Sequence, residues 1–185
     1  ITLDEHRLAA WERHAAVINR LRPLLARFAV SGRDAPNPLT ARFMLLHTLS
    51  HMLMRQFEAE GGYPAASLTE IIYCSNAPKP MAGILIYTAA SDSEGTLGGL
   101  VSLGEPAALG RHLQAALASA GLCSADPLCA EHHPWRDGVT LHGAACHACL
   151  FAPETSCERG NKYLDRAVLV DTVTAAGAAF FGRGR

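Results

Sequence analysis

No stretch of this sequence stays apolar long enough to cross a bilayer. The longest uninterrupted runs, such as Gly83-Ile84-Leu85-Ile86-Tyr87, fall far short of the roughly 20 residues that a membrane helix needs. Charge of one sign is missing too. Sixteen basic against seventeen acidic residues leave a formal charge of -1, so no whole-chain field draws the protein to nucleic acid or acidic lipid, and any such contact needs a local patch. Lysine is scarce: Lys79 and Lys162 are the only two, and the remaining basic side chains are arginine. No basic, apolar, small-residue cleavage pattern opens the chain, so no secretory signal is read and a soluble, cytoplasmic protein is expected. The first residue is Ile1 rather than methionine, as expected of a trimmed polypeptide or a piece of a longer one. Internal repeats, helicase ATPase motifs and any serine–histidine–acid order are all lacking.

What the chain has is 185 residues, 49% of them hydrophobic, enough for one full core. Thr2 and Glu5 form a capping-box pattern ahead of Leu8, Trp11, Ala15, Ile18, Leu21 and Leu25, which predicts a helix from about Leu3 to Phe28 that Pro23 bends or divides. Turn formers fill 31–38. A second helix is predicted from Leu39 or Thr40 to about Glu60, with Phe43, Leu46, Leu49, Leu53 and Phe57 on its apolar face and Gly61-Gly62 as its stop. Ile71 to Cys74 and Gly83 to Thr88 read as two strands that pair, followed by a turn at 91–95 and a glycine-rich stretch to Gly104. Pro106 to Gly121 gives a third helix. Periodicity then disappears from Leu122 to Gly160, a last helix is predicted from about Tyr163 to Val173, and 176–185 reads as a tail. The expected class is α+β, mainly helical, with a small sheet and a zinc-stapled C-terminal loop region.

Five of the six cysteines (Cys123, Cys129, Cys146, Cys149 and Cys157) lie within 35 residues, and Cys74 stands apart. Cys146-His147-Ala148-Cys149 is a C-x-x-C knuckle, whose two intervening residues let both sulfurs face one point. Cys157, seven intervening residues downstream, and Cys129, sixteen upstream, complete a four-thiolate set with spacing that structural zinc sites tolerate. Cys123 is a fifth candidate, because Cys123-Ser-Ala-Asp-Pro-Leu-Cys129 is itself a short loop that can turn either sulfur inward. About forty irregular residues cannot offset an ordering entropy of roughly 1–2 kcal/mol each from few apolar side chains. A structural zinc, at an apparent ~10–16 kcal/mol in small peptide sites, can. Disulfides need an oxidising compartment. An iron–sulfur cluster also takes four thiolates, and spacing does not separate it from zinc. A thioredoxin-type redox pair needs flanking strand and helix, which the sequence does not offer. His132, His133, His142 and His147 are substitute ligands or solvated loop residues. Four thiolates would leave no position for an activated water.

Other groups carry weaker signals. His47 and His51, at i and i+4 on one helix face, have metal-binding spacing but lack the glutamate of a metalloprotease signature. With Arg55 and Glu58 they also read as a polar stripe meeting another segment or solvent. Asp92 and Glu94 precede Gly95-Thr-Leu-Gly-Gly99, a turn able to cradle phosphate or simply to pack closely, with no following Lys-Ser or Lys-Thr. Arg7, Arg13, Arg20, Arg22, Arg27 and Arg33 give the first helix a local positive excess that either contacts nucleic acid or forms a solvated face.

Taken in combination, His47-Thr-Leu-Ser-His51, Gly83-Ile-Leu-Ile-Tyr87, Glu94-Gly-Thr-Leu-Gly-Gly-Leu100, Cys123 to Cys129, Gly143-Ala-Ala-Cys-His-Ala-Cys149, Glu154-Thr-Ser-Cys-Glu-Arg-Gly-Asn161 and Leu164-Asp-Arg166 resemble the MrfA-type zinc-binding domain from about Leu39 to Val170. Within that family the long final motif, Pro153-Glu-Thr-Ser-Cys157 after the knuckle, resembles the DrmB-like branch of the DISARM antiphage system. The resemblance implies a helical segment and linker over 1–38, the zinc-binding domain over 39–175 and a tail over 176–185. It implies zinc on Cys146, Cys149 and Cys157 with Cys129 as the fourth ligand. It further implies an ATP-dependent DNA helicase as partner and contact with DNA, while the lack of a defensible catalytic set and of a long apolar run leads us to expect no activity of the chain's own, no membrane and no small-molecule substrate. Two rival readings are the C-terminal domain of an MrfA-type repair helicase and a metal-dependent nuclease using His47, His51, Asp92 or Glu94.

Overall fold

A computed structural model describes residues 1–31, 39–76, 78–88, 96–134, 136–137 and 140–182. Among these are five α-helices and a two-stranded antiparallel sheet: α1 (Glu5–Glu12), α2 (Ala15–Ser31), α3 (Ala41–Gly61), β1 (Leu68–Ser75), β2 (Met81–Thr88), α4 (Thr96–Leu103) and α5 (Pro106–Ala120). This is the expected α+β class. The hairpin pairs Leu68 with Thr88 through to Ser75 with Met81, so each strand starts a few residues ahead of its most β-branched stretch. No helix among the described residues is long and apolar enough to cross a membrane.

The spine of the molecule is α3. Thr40 caps it by accepting from Phe43 N at 3.1 Å, and Gly62 ends it in the left-handed region at φ 70°. Every residue from Arg42 to Met54 is buried, because α3 meets α1, α2, both strands, α4, α5 and the C-terminal segment. A helix buried all round belongs to a core rather than to a surface. Its polar side chains Arg42, His47, Thr48 and His51 therefore need partners inside the protein.

The N-terminal helix divides elsewhere than predicted. Its break falls between Glu12 and Ala15 while Pro23 stays inside α2, and Asp4 rather than Thr2 caps α1 through Arg7 N at 2.8 Å. Thr2 is used instead as an isolated bridge to Gly83. Tertiary bonds override the local signals: Arg42 holds Glu5 and Glu12, and Trp11 Nε1 donates to Ala178 O at 2.8 Å. The glycine-rich stretch, expected as a turn, is helical in α4, and Gly99 lies where an added Cβ would meet the Tyr63 hydroxyl at 2.6 Å. Close packing accounts for that glycine.

The predicted helix at Tyr163–Val173 is corrected to a single 3₁₀ turn, Arg166–Val168. Asn161 and Tyr163 sit at φ 60° and 65°, and the backbone bonds run outward rather than along the segment: Tyr163 N to Leu141 O, Gly143 N to Leu164 O and Arg166 N to Ala144 O. The residues read as a tail are packed as far as Phe181. Ala178 and Phe180 are buried, Phe180 N donates to Val168 O, and Phe181 N donates to Leu169 O. From Leu122 to Gly160 the described residues hold only two short 3₁₀ turns, Pro127–Glu131 and Glu154–Ser156, as the loss of periodicity predicts.

Candidate metal centre

Four of the clustered cysteines converge. Cys123, which follows α5, Cys129 in the Pro127–Glu131 turn, and Cys146 and Cys149 of the knuckle bring their sulfurs within 4.8 Å of one another. The Cys123–Cys146, Cys146–Cys149 and Cys129–Cys149 separations are 3.6, 3.6 and 3.7 Å. A tetrahedron of zinc–sulfur bonds of about 2.3 Å places its sulfurs about 3.8 Å apart, so the set fits one zinc ion. The spacing is far beyond a disulfide's ~2.0 Å, and it is too tight for a cluster of several iron and sulfide atoms to sit between the thiols.

The knuckle folds because its backbone closes on itself. Cys149 N, Leu150 N and Phe151 N all donate to Cys146 O, at 3.2, 3.0 and 3.0 Å, and Cys146 N points at Cys149 Sγ at 3.3 Å. Arg55 on α3 clamps the turn from outside, donating to the carbonyls of His147, Ala148 and Phe151. Behind the sulfurs lies Arg166, fully buried, with Nη1 donating to Ala120 O at 2.6 Å. Its positive charge faces Cys129, Cys149 and Cys123, which suits a shell whose four thiolates exceed the charge of a divalent ion.

Left to themselves the sulfurs compete for ionisation. A hydrogen bond with Cys149, aided by Arg166, brings Cys129 down to about 5, and the same contact together with burial pushes Cys149 up. A divalent cation removes that competition by deprotonating its coordinating thiols outright.

The fourth sulfur differs from the set expected from sequence. Cys129, Cys146 and Cys149 come together as expected, but Cys123 fills the remaining place and Cys157 does not join them. The short loop from Cys123 to Cys129 was the signal for Cys123. Cys157 Sγ instead lies 3.2 Å from His47 Nε2 in a buried group with His51 and Glu70. Thus His47 and His51 do face another segment of the chain. Glu70, on β1, had no sequence signal, since the predicted strand begins only at Ile71. Burial opposes the charge on Cys157, yet hydrogen bonds from His47 and His51 hold its thiol down to about 6. Burial likewise disfavours the charged forms of His51 and Glu70, but His51 is raised to about 10 by Cys157 and Glu70, and Glu70 is held well below the usual carboxylate range by the two histidines.

The other histidines stand outside the sulfur cluster. His132 stacks on His142 at 4.4 Å and bonds Thr140, while His147 packs edge-on to Phe151. Asp92, Glu94, Gly95 and Arg33 lie outside the described residues. Two of the N-terminal arginines are tied into the fold, Arg7 to Phe180 O and its ring and Arg20 to Asp165.

A protein of Bacillus paralicheniformis, "DISARM protein DrmB", is 44% identical over 139 residues, which cover 75% of this chain and 24% of that relative. The chain therefore spans about a quarter of the relative's length. Residues 49–150, which include all four convergent cysteines, match the MrfA Zn-binding domain, and the chain belongs to that zinc-binding family.

Proposed function

We propose that the chain is a non-catalytic, zinc-stabilised module of a DrmB-like DISARM antiphage component, in which Cys123, Cys129, Cys146 and Cys149 hold one zinc and the surface so fixed docks a partner DNA helicase. The observation that carries this reading is the four-thiol convergence, within a chain 44% identical to a DISARM protein. Four protein sulfurs complete a tetrahedral shell, so the zinc supplies rigidity and offers no place to an activated water. The nuclease reading has less support. His47 and His51 have no exposed surface, and a phosphodiester cannot reach them.

The test joins metal content to defence. The Cys146→Ser, Cys149→Ser double variant is expected to lose the zinc of the four-thiol cluster, to stop co-purifying with a co-expressed partner DNA helicase, and to lose protection against phage in plaque assays. A variant that loses that zinc yet retains both helicase binding and protection would defeat the proposal. Contact with DNA is measured separately, by the salt dependence of binding. Displacement of phosphate counterions predicts affinity falling linearly with salt on logarithmic axes, whereas salt-insensitive or absent binding would leave helicase docking as the sole role.

A further inference from the structure

We infer that His47, His51, Glu70 and Cys157 form a second metal site, distinct from the four-thiol cluster, that takes one zinc-like divalent cation in a closed shell. The donors come from three parts of the chain: two histidines one turn apart on α3, a carboxylate on β1 and a thiol from the loop after the Glu154–Ser156 turn. One ligand atom of each lies within 4.8 Å of the others. His47 Nε2 is 2.9 Å from Glu70 Oε1 and 3.2 Å from Cys157 Sγ, and His51 Nε2 is 3.2 Å from Glu70 Oε1. An ion with bonds of about 2.0–2.3 Å holds tetrahedral nitrogen, oxygen and sulfur donors about 3.3–3.6 Å apart, so a small contraction or expansion of this group suffices.

Burial makes the case stronger. His47 and His51 are 0% exposed, Glu70 2% and Cys157 4%, and isolated charges in such a place are costly unless paired or bound to metal. His51 is also oriented as a ligand would be. Its Nδ1 meets Leu150 O at 2.9 Å; a carbonyl can only accept, so Nδ1 carries a proton and Nε2 is the ring atom turned toward Glu70, the arrangement of a histidine that binds metal through Nε2. Positive charge is required between Nε2 and the carboxylate oxygen 3.2 Å away, supplied by a second ring proton in the absence of an ion and by the dication when it is bound. His47 Nε2 confronts both an oxygen and a sulfur, and one proton on it cannot serve both at full strength. A single dication placed among the four serves every donor at once. Glu70 Oε2, buried and without a hydrogen-bond partner, is available to tighten the grip.

The backbone around Cys157 also turns an amide toward its sulfur. Asn161 N points at Cys157 Sγ at 3.4 Å, carried there by a left-handed turn with φ 56° at Gly160 and 60° at Asn161. Two nitrogens, one oxygen and one sulfur suit zinc or a neighbouring transition metal, and the sulfur disfavours magnesium and calcium. With no solvent access, the ion would be structural. It would join helix, strand and loop across the core.

The site shares no ligand with the four-thiol cluster and does not depend on the proposed function. Metal analysis of the untagged purified protein is expected to find about two zinc ions per chain, and X-ray absorption at the zinc edge should average five sulfurs with three nitrogen or oxygen atoms over the two ions. His51→Ala should remove one ion and shift the remaining shell to all sulfur. Cys146→Ser with Cys149→Ser should remove the other and leave a shell dominated by nitrogen and oxygen. The wild-type shell decides the matter even if a variant fails to fold. One zinc per chain with four sulfurs overturns this inference and leaves the four-thiol assignment standing.

Discussion

At the level of single residues, buried polar side chains fix the C-terminal segment to the helices. Asp165, fully buried, accepts from Ala144 N and Ala167 N at Oδ1, pairs through both oxygens with Nε and Nη2 of Arg20, and presents its own N–H to Thr48 Oγ1. Gly143 lies against it so closely that an added Cβ would fall on the carboxylate, 2.5 Å from Cγ. The carboxylate cannot swing aside without releasing those partners. Gly143→Ala is therefore expected to cost about 1–3 kcal/mol, read as a lowered denaturation midpoint with an unchanged slope. Arg42 is a second such centre. Buried to 3% exposure, it reaches Glu5, Glu12 and Ser75 O together, tying α1 and β1 to α3. Arg42→Ala leaves two glutamates that can turn to solvent, so the cost should fall at or below the low end of the roughly 3–5 kcal/mol for breaking a buried pair. Arg42→Lys should cost nearly as much, since an ammonium lacks the planar fork that serves three acceptors. A lysine variant as stable as the wild type would contradict this.

Between elements, the decisive contact is α3 against the knuckle, and Arg55 makes it. Removing the side chain frees the carbonyls of His147, Ala148 and Phe151, so Arg55→Ala should weaken zinc retention about 10-fold or more, the usual effect of losing a group that orients ligands, as measured by competition with a chelating dye. Unchanged retention would mean that the knuckle holds its shape alone. This contact also marks the limit of what the sequence reveals. The ends of α3 and α5, the hairpin and the irregular region were legible, because capping residues, glycine stops, β-branched runs and lost periodicity act locally. The break between α1 and α2 was not, since no proline or glycine marks it and its determinants, Arg42 and Ala178, are remote in sequence. Three of the four convergent cysteines were legible from spacing. Cys157 was misplaced because spacing counts residues along the chain, whereas its partners are a strand carboxylate and two helix histidines more than 80 residues upstream.

Across the whole molecule, the two ligand groups are mechanically joined. Leu150 follows Cys149 directly, is itself fully buried, and offers its carbonyl to His51 Nδ1 at 2.9 Å. The knuckle thus sets the orientation of a histidine in the second group, and α3 carries both His51 and Arg55. Ordering either group restrains the other, so metal binding should be coupled: release of the four-thiol zinc ought to free Leu150 O, loosen His51 and weaken retention of the second ion. Stepwise chelation followed by hydrogen exchange tests this. The amides of Cys149, Leu150, Gly143 and Tyr163, all bonded within the irregular half, should lose protection early, while the middle of α3 and α5 should remain protected until the second ion leaves. Two independent release steps, with the Leu150 amide unaffected by the first, would show instead that the sites act separately and that the fully buried apolar side chains of the C-terminal half hold it in place without help from the four-thiol zinc.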